Sequence, residues 1–231
     1  MKKSIIIDFD NTIGYFPQII YLINIIETTY KRKMKQEDIN ILLKIYTYSF
    51  RPKIFEILKF VQQLKEKNII HNLILYTNNK NEIFVRMVLN FIEEYIGYSN
   101  KKINHKIFDH IVFSKTKKNL KTLINFESVY DNIETHICFI DNKNYNYNTE
   151  SKIIHIYFIE CDTYKYHYTH EDIAKKMDYK IYNVLNKKLI YRYFKSIYKN
   201  KVMRENLPMK IHEFNSLYIF NLLNNFCLSS K

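Results

Sequence analysis

Apolar residues come in short runs along this chain, and each run is closed by polar residues. Ile5, Ile6 and Ile7 form one such run, rich in β-branched side chains and ended by Asp8. That is the pattern of a central strand buried on both faces of a parallel sheet. Residues 69–76 form a second run, ended by Thr77, Asn78 and Asn79, and residues 136–140 a third, ended by Asp141 and Asn142. Residues 107–113 and 152–159 are weaker strand candidates. Between the runs, apolar positions recur at helical spacing. Pro17 can open a helix reaching about residue 33, and residues 37–47 form another. Pro52 marks a helix start, and Ile54, Phe55, Leu58, Val61 and Leu64 then line one face. Residues 82–95 repeat the pattern, and residues 118–124 do so more briefly. Strands alternating with helices predict an α/β protein with a Rossmann-like, mainly parallel sheet flanked by helices.

The pattern changes after about residue 163. Residues 171–177, 179–202 and 211–225 read as helices, with Pro208 separating the last two. The expected organisation is therefore an α/β domain over residues 1–164, with a small helical insertion at 13–50 and little or no cap. A helical extension over 165–231 would pack on it. Repeats and flexible linkers are not visible.

Composition refines this picture. A chain of 231 residues, 47% apolar, can bury a substantial single core. Asn, Ile, Lys and Tyr are abundant and Gly occurs only at positions 14 and 97. That bias follows A/T-rich codons, as in a large DNA virus or an AT-rich protist. The net charge of +13 favours anionic partners such as phosphopeptides, acidic proteins, nucleic acid or a lipid surface, although lysine-rich codon bias alone yields the same surface. Cys138, Cys161 and Cys227 lack paired short spacing, which argues against a zinc site or a disulfide framework and fits a reducing compartment. Asp8 and Asp10 break the first apolar run before it could serve as a signal core. The run at 19–26 contains Asn24 and is far below a membrane span of about 20 residues. A soluble intracellular protein is expected, cytoplasmic or nuclear, and in the host cell if the source is viral.

The candidate chemistry lies at the strand ends. In open α/β sheets ligands bind beyond the carboxyl ends of the strands. The three clearest strands deliver Asp8-Phe9-Asp10-Asn11-Thr12, Thr77-Asn78 and Asp141-Asn142 to that edge. Two carboxylates spaced i and i+2 after a buried strand are costly unless they meet a cation or hydrogen-bond donors. Mg²⁺, which prefers oxygen ligands, meets that need. The alternative is a simple strand-end turn, since Asp and Asn favour such places.

The segment from Asp8 to Thr12 resembles the DxDxT signature of haloacid dehalogenase phosphatases. Thr77, a Lys-rich segment and Asp141 follow in the order of that family's remaining motifs. Arg51-Pro52 with Phe55 and Leu58 is similar to the "RP…FL" segment of the phosphatases acting on the C-terminal domain of RNA polymerase II. Leu73 to Thr77, Lys118-Asn119-Leu120 and Ile140-Asp141-Asn142 are similar to three further segments of that group. The similarity covers roughly residues 3–150 and is weak between the motifs. Asn11, Asn119 and Lys143-Asn144-Tyr145 depart from the pattern.

The resemblance implies a Mg²⁺-dependent phosphatase with an aspartyl-phosphate intermediate, acting on phosphoserine or phosphothreonine in a protein. Asp8 would be the nucleophile and Asp10 the general acid and base. Asp8, the Asp10 carbonyl, Asp141 and Asn142 would hold Mg²⁺. Thr77, Asn78 and Lys118 would bind the phosphoryl group, with Lys115 and Lys117 competing for the lysine role. A nucleotide or polynucleotide phosphatase is a second reading, and a catalytically weak binding module on the same fold a third. Three further features have plain structural readings. Arg51-Pro52 can simply start a helix. His167 and His170 form a surface pair, and residues 187–201 an amphipathic helix with a solvated basic face.

Overall fold

Ile5, Ile6 and Ile7 carry apolar side chains to both faces of their strand, so that strand must lie in the middle of a sheet covered on both sides. It does. The computed structural model describes residues 1–97, 106–114, 118, 134–144, 153–177, 187–198 and 206–228. Five strands, β1 (Lys2–Ile7), β2 (Asn72–Thr77), β3 (His110–Phe113), β4 (Thr135–Asp141) and β5 (Ile154–Glu160), form one sheet in the order β3-β2-β1-β4-β5. Every pairing is parallel, and β1 runs between β2 and β4 with Ile7 opposite Leu75 and Ile140. Seven α-helices lie around it among the described residues: α1 (Pro17–Tyr30), α2 (Gln36–Ile45), α3 (Ile54–Glu66), α4 (Glu82–Tyr95), α5 (His170–Lys176), α6 (Lys187–Ile197) and α7 (Met209–Leu228). This is a Rossmann-like α/β fold. None of these helices is long and apolar enough to cross a membrane.

Local sequence explains several boundaries. Pro17 sits in the first turn of α1, where its missing N–H costs nothing. Asn81 caps α4 by accepting from the Phe84 N–H, and Thr169 caps α5 through the Asp172 N–H. Pro52 does not begin α3. The helix starts at Ile54, after Lys53 adopts a left-handed conformation with φ 59°. The expected helix at 118–124 and the first part of that at 179–202 lie outside the described residues, apart from Lys118.

The helical extension shares the core of the α/β domain. Ile173 of α5, Ile190 and Phe194 of α6, and Ile219, Leu223 and Phe226 of α7 belong to the same buried cluster as Ile5, Ile7 and the cores of α1 to α4. Phe60 of α3 meets Phe220 of α7 with ring centroids 4.8 Å apart. Lys3, buried within β1, reaches out to the Phe226 and Cys227 carbonyls at 2.8 Å each. An ammonium there satisfies the last carbonyls of α7 and complements the negative end of its dipole.

Gly14 positions the loop after β1. It bridges to Asp10 on one side and to Phe50 on the other. A Cβ at this position would stand 2.5 Å from the Ser49 carbonyl oxygen and 2.4 Å from the Phe16 ring. No larger residue fits without moving the backbone, so the return of the helical insertion to the strand-end loop depends on this glycine.

Candidate active site

The chain leaves β1 for β2 and β3 on one side and later returns to β4 and β5 on the other. The strand order therefore reverses between β1 and β4, and the carboxyl ends of these two neighbours form the crevice where open α/β sheets bind ligands. Asp8 follows β1 directly, and its N–H donates to the Ile140 carbonyl at 3.0 Å, carrying the ladder one residue further. Asp141 ends β4. Both carboxylates are buried.

One cation lies between them. Lys118 Nζ donates to Asp8 Oδ1 at 2.5 Å and to Asp141 Oδ2 at 2.7 Å, and its own side chain is buried. The ammonium stands 5.5 Å from the Tyr76 ring centroid and 5.7 Å from that of Phe139, two aromatic walls that favour a cation. Asp8 Oδ2 accepts from the Thr12 hydroxyl at 3.2 Å, and Asp141 Oδ1 accepts from the Lys143 N–H at 2.9 Å. Asp10 turns away from this pair towards the end of β2. Asn79 Nδ2 donates to both of its oxygens, at 2.9 and 3.2 Å, and the Thr77 hydroxyl also hydrogen-bonds it.

Burial dominates the electrostatics. It pushes the Asp8 carboxyl up to about 6; Lys118 opposes the rise and Asp141 adds to it. Burial also raises Asp10, against the pull of Asn79 and Lys118. Burial alone would lower Lys118, but Asp8 and Asp141 together hold its ammonium above the ordinary range. Asp8, Asp10 and Asp141 against one Lys118 leave two formal negative charges when all are ionised, the charge that one Mg²⁺ balances. Asp8 and Asp141 also offer the hard oxygen donors that this ion prefers. The residues present fit such an ion.

A second buried ion cluster braces the loop from the other side. The Arg51 guanidinium is buried, and its fork donates to the Thr12 carbonyl at 2.7 Å, the Asn11 carbonyl at 3.0 Å and the Asp162 carbonyl at 2.6 Å. It also pairs with the Asp162 carboxylate, which accepts in addition from His212 Nδ1 of α7 at 3.1 Å. Arg51 outweighs burial and holds Asp162 below the usual carboxylate range. Asn11, which Arg51 grips, has φ 63°, a left-handed conformation that Asn tolerates better than most side chains.

The structure thus brings Asp8, Asp10, Thr77, Lys118 and Asp141 to one crevice. It does not bring Asn78 there: that side chain is exposed and donates to the Ser114 carbonyl at 3.3 Å, while its neighbour Asn79 meets Asp10. Asn142 is half-buried and donates its amide nitrogen to the Thr163 hydroxyl at 3.1 Å. Lys115 and Lys117 lie outside the described residues. Asn79 was the residue that sequence reasoning passed over, though it stands in the same strand-end triplet as Thr77. Asp162 and His212 carried no sequence signal. No protein-family profile matches the chain, and no curated protein or solved structure matches it.

Proposed function

We propose that this chain is a Mg²⁺-dependent phosphomonoesterase of the haloacid dehalogenase type that works through an aspartyl-phosphate on Asp8. The observation that carries the reading is the buried Asp8–Lys118–Asp141 arrangement at the switch point of the sheet, with Asp10 and Thr77 beside it. An Asp8 oxygen attacks phosphorus while the bond to the leaving oxygen breaks, and Asp10 gives that oxygen its proton. Asp10 then takes a proton from water, whose oxygen displaces Asp8 and releases inorganic phosphate. An acid raised by burial suits the first of these steps. Lys118 neutralises the phosphoryl oxygens and reduces their repulsion from Asp8, and the Thr77 hydroxyl hydrogen-bonds them. Asp8, the Asp10 carbonyl, Asp141 and the Asn142 amide oxygen would hold Mg²⁺, which supplies charge neutralisation at the phosphoryl group.

The insertion between β1 and α3 contributes two helices and a short 3₁₀ turn at Thr47–Ser49, too little for a large cap domain, which favours a macromolecular substrate. Phosphoserine or phosphothreonine in a protein is the substrate class we favour. A polynucleotide phosphatase is the second reading, supported by a groove in which Lys175 of α5 faces Lys187, Lys188, Arg192 and Lys195 of α6. The test is a turnover screen with Mg²⁺ against phosphopeptides, nucleotides and 3′- or 5′-phosphorylated oligonucleotides, with Asp8→Asn as control. Phosphate release at least about a hundredfold above the control, roughly 2.7 kcal/mol in the barrier, supports the enzyme. Release from oligonucleotides alone favours the second reading, and no release from any substrate leaves a binding module.

A further inference from the structure

We propose that Glu134, His136 and His155 form a site for a divalent transition metal, best suited to Zn²⁺, at the amino-terminal edge of the sheet. His136 lies in β4 and His155 in β5, and the parallel register sets them opposite one another. Their side chains leave the same face, with ring centroids 4.7 Å apart. Glu134, just before β4, brings one carboxylate oxygen, Oε1, to 3.0 Å from His136 Nε2 and 3.4 Å from His155 Nε2. Among the described residues this is the set of three His, Cys, Asp or Glu side chains whose ligand atoms all lie within 4.8 Å of one another. Tyr157 stacks on His136 with an interplanar angle of 20° and holds that imidazole in its orientation.

The spacing is what a metal requires. Around a tetrahedral Zn²⁺ with bonds of about 2.0–2.1 Å, ligand atoms stand about 3.3 Å apart, and the two N···O separations fall on either side of that value. Without a metal, two imidazoles crowd one exposed carboxylate, an ion pair of the kind worth only about 0–1 kcal/mol. Two nitrogens and one oxygen select Zn²⁺, Ni²⁺ or Cu²⁺ over Mg²⁺ and Ca²⁺, which prefer all-oxygen sites. A fourth position stays open to water. The site is separate from the crevice at Asp8. Asp141 lies five residues along β4 from His136, about 17 Å at about 3.3 Å per residue. A bound ion would join β4 to β5, which among the described residues is the edge strand of the sheet.

The test uses the full chain stripped with a chelator and titrated calorimetrically with Zn²⁺ in excess Mg²⁺. One equivalent should bind, His136→Gln and His155→Gln should each weaken binding at least tenfold, and Asp8→Asn should bind like the parent chain. Glu134→Gln, at an exposed position, is a second variant that should weaken binding with no change in metal-free thermal unfolding. Co²⁺ in place of Zn²⁺ should show d–d absorption with no thiolate charge-transfer band. Absence of Zn²⁺ binding overturns the proposal. So does binding that survives both histidine substitutions, that is lost in Asp8→Asn, or that carries the thiolate band of a cysteine site.

Discussion

Two buried ion clusters flank the loop from Asp8 to Thr12, and they use the same charges to opposite effect. At Asp162 the fork of Arg51 is fully engaged by two carbonyls of that loop, by the Asp162 carbonyl and by the carboxylate, and the carboxyl is held below its usual range. At Asp8 a single Lys118 is shared with Asp141, and burial lifts the carboxyl to about 6. The first arrangement satisfies its charges and fixes the loop. The second leaves negative charge in excess at the switch point of the sheet, where we propose that a cation and a phosphoryl group bind. Proteins keep such uncompensated groups at functional sites at a cost in stability, which is why we place the chemistry at Asp8 and the scaffold at Asp162.

The largest effect should come from Asp8→Asn. Turnover should fall about 10⁴-fold or more, about 5.5 kcal/mol, because the amide is no nucleophile. The fold should gain stability at the same time. A folded carboxyl titrating near 6 instead of 3.8 favours the protonated form, so stability falls as pH rises from about 4 through 6. Removing the charge should therefore add about 1–3 kcal/mol at pH 7.5 and almost nothing at pH 4, measured by urea unfolding. A loss of stability at pH 7.5 would put Asp8 in the same class as Asp162.

Asp10→Asn should cost about 10²–10⁴-fold on a phosphopeptide, whose leaving oxygen needs a proton, and much less on a nitrophenyl phosphate. Equal losses on both esters would remove Asp10 from the proton-transfer role.

Asp162→Asn should act in the other sense. It leaves the buried Arg51 without its counter-charge, which costs about 3–5 kcal/mol. Because the folded Asp162 carboxyl titrates below its unfolded value, its contribution is present above about pH 4 and is lost only as pH falls through that lower folded value. Unfolding free energies of this variant and the parent should thus converge in acid.

Gly14→Ala should have the smallest effect, a loss of about 1–3 kcal/mol by overpacking. Gly14 bridges Asp10 of one cluster to Phe50, the neighbour of Arg51 in the other. An unchanged unfolding midpoint would show that the backbone there yields easily.

The sheet was legible because Ile5 to Ile7 form a continuous β-branched run, the runs ending at Thr77 and Asp141 are mostly apolar, and strand ends in an α/β sheet share one edge. Asp8, Asp10, Thr77 and Asp141 lie on that edge, and the motif resemblance singled them out among its polar residues. Asn78 was expected at the site beside Thr77, but side chains alternate with period two along a strand, so Asn79, two residues on from Thr77, meets Asp10 instead. Arg51 looked like the start of a helix or part of a resemblance. Its role as a clamp depends on Asp162, a hundred-odd positions away, which only the folded chain reveals. The extension read as an appendage because its helices are amphipathic like any surface helix. That they share the central core rests on long-range contacts such as Phe60 with Phe220.

The central claim is that Asp8 becomes phosphorylated during turnover. The direct measurement is acid-quenched mass spectrometry of the full chain mixed with Mg²⁺ and an excess of its best phosphomonoester. A single phosphoryl group on the peptide containing Asp8, absent in Asp8→Asn, is the predicted result. Steady phosphate release with no phosphoryl group on that peptide, or release by Asp8→Asn at the parent rate, would contradict it.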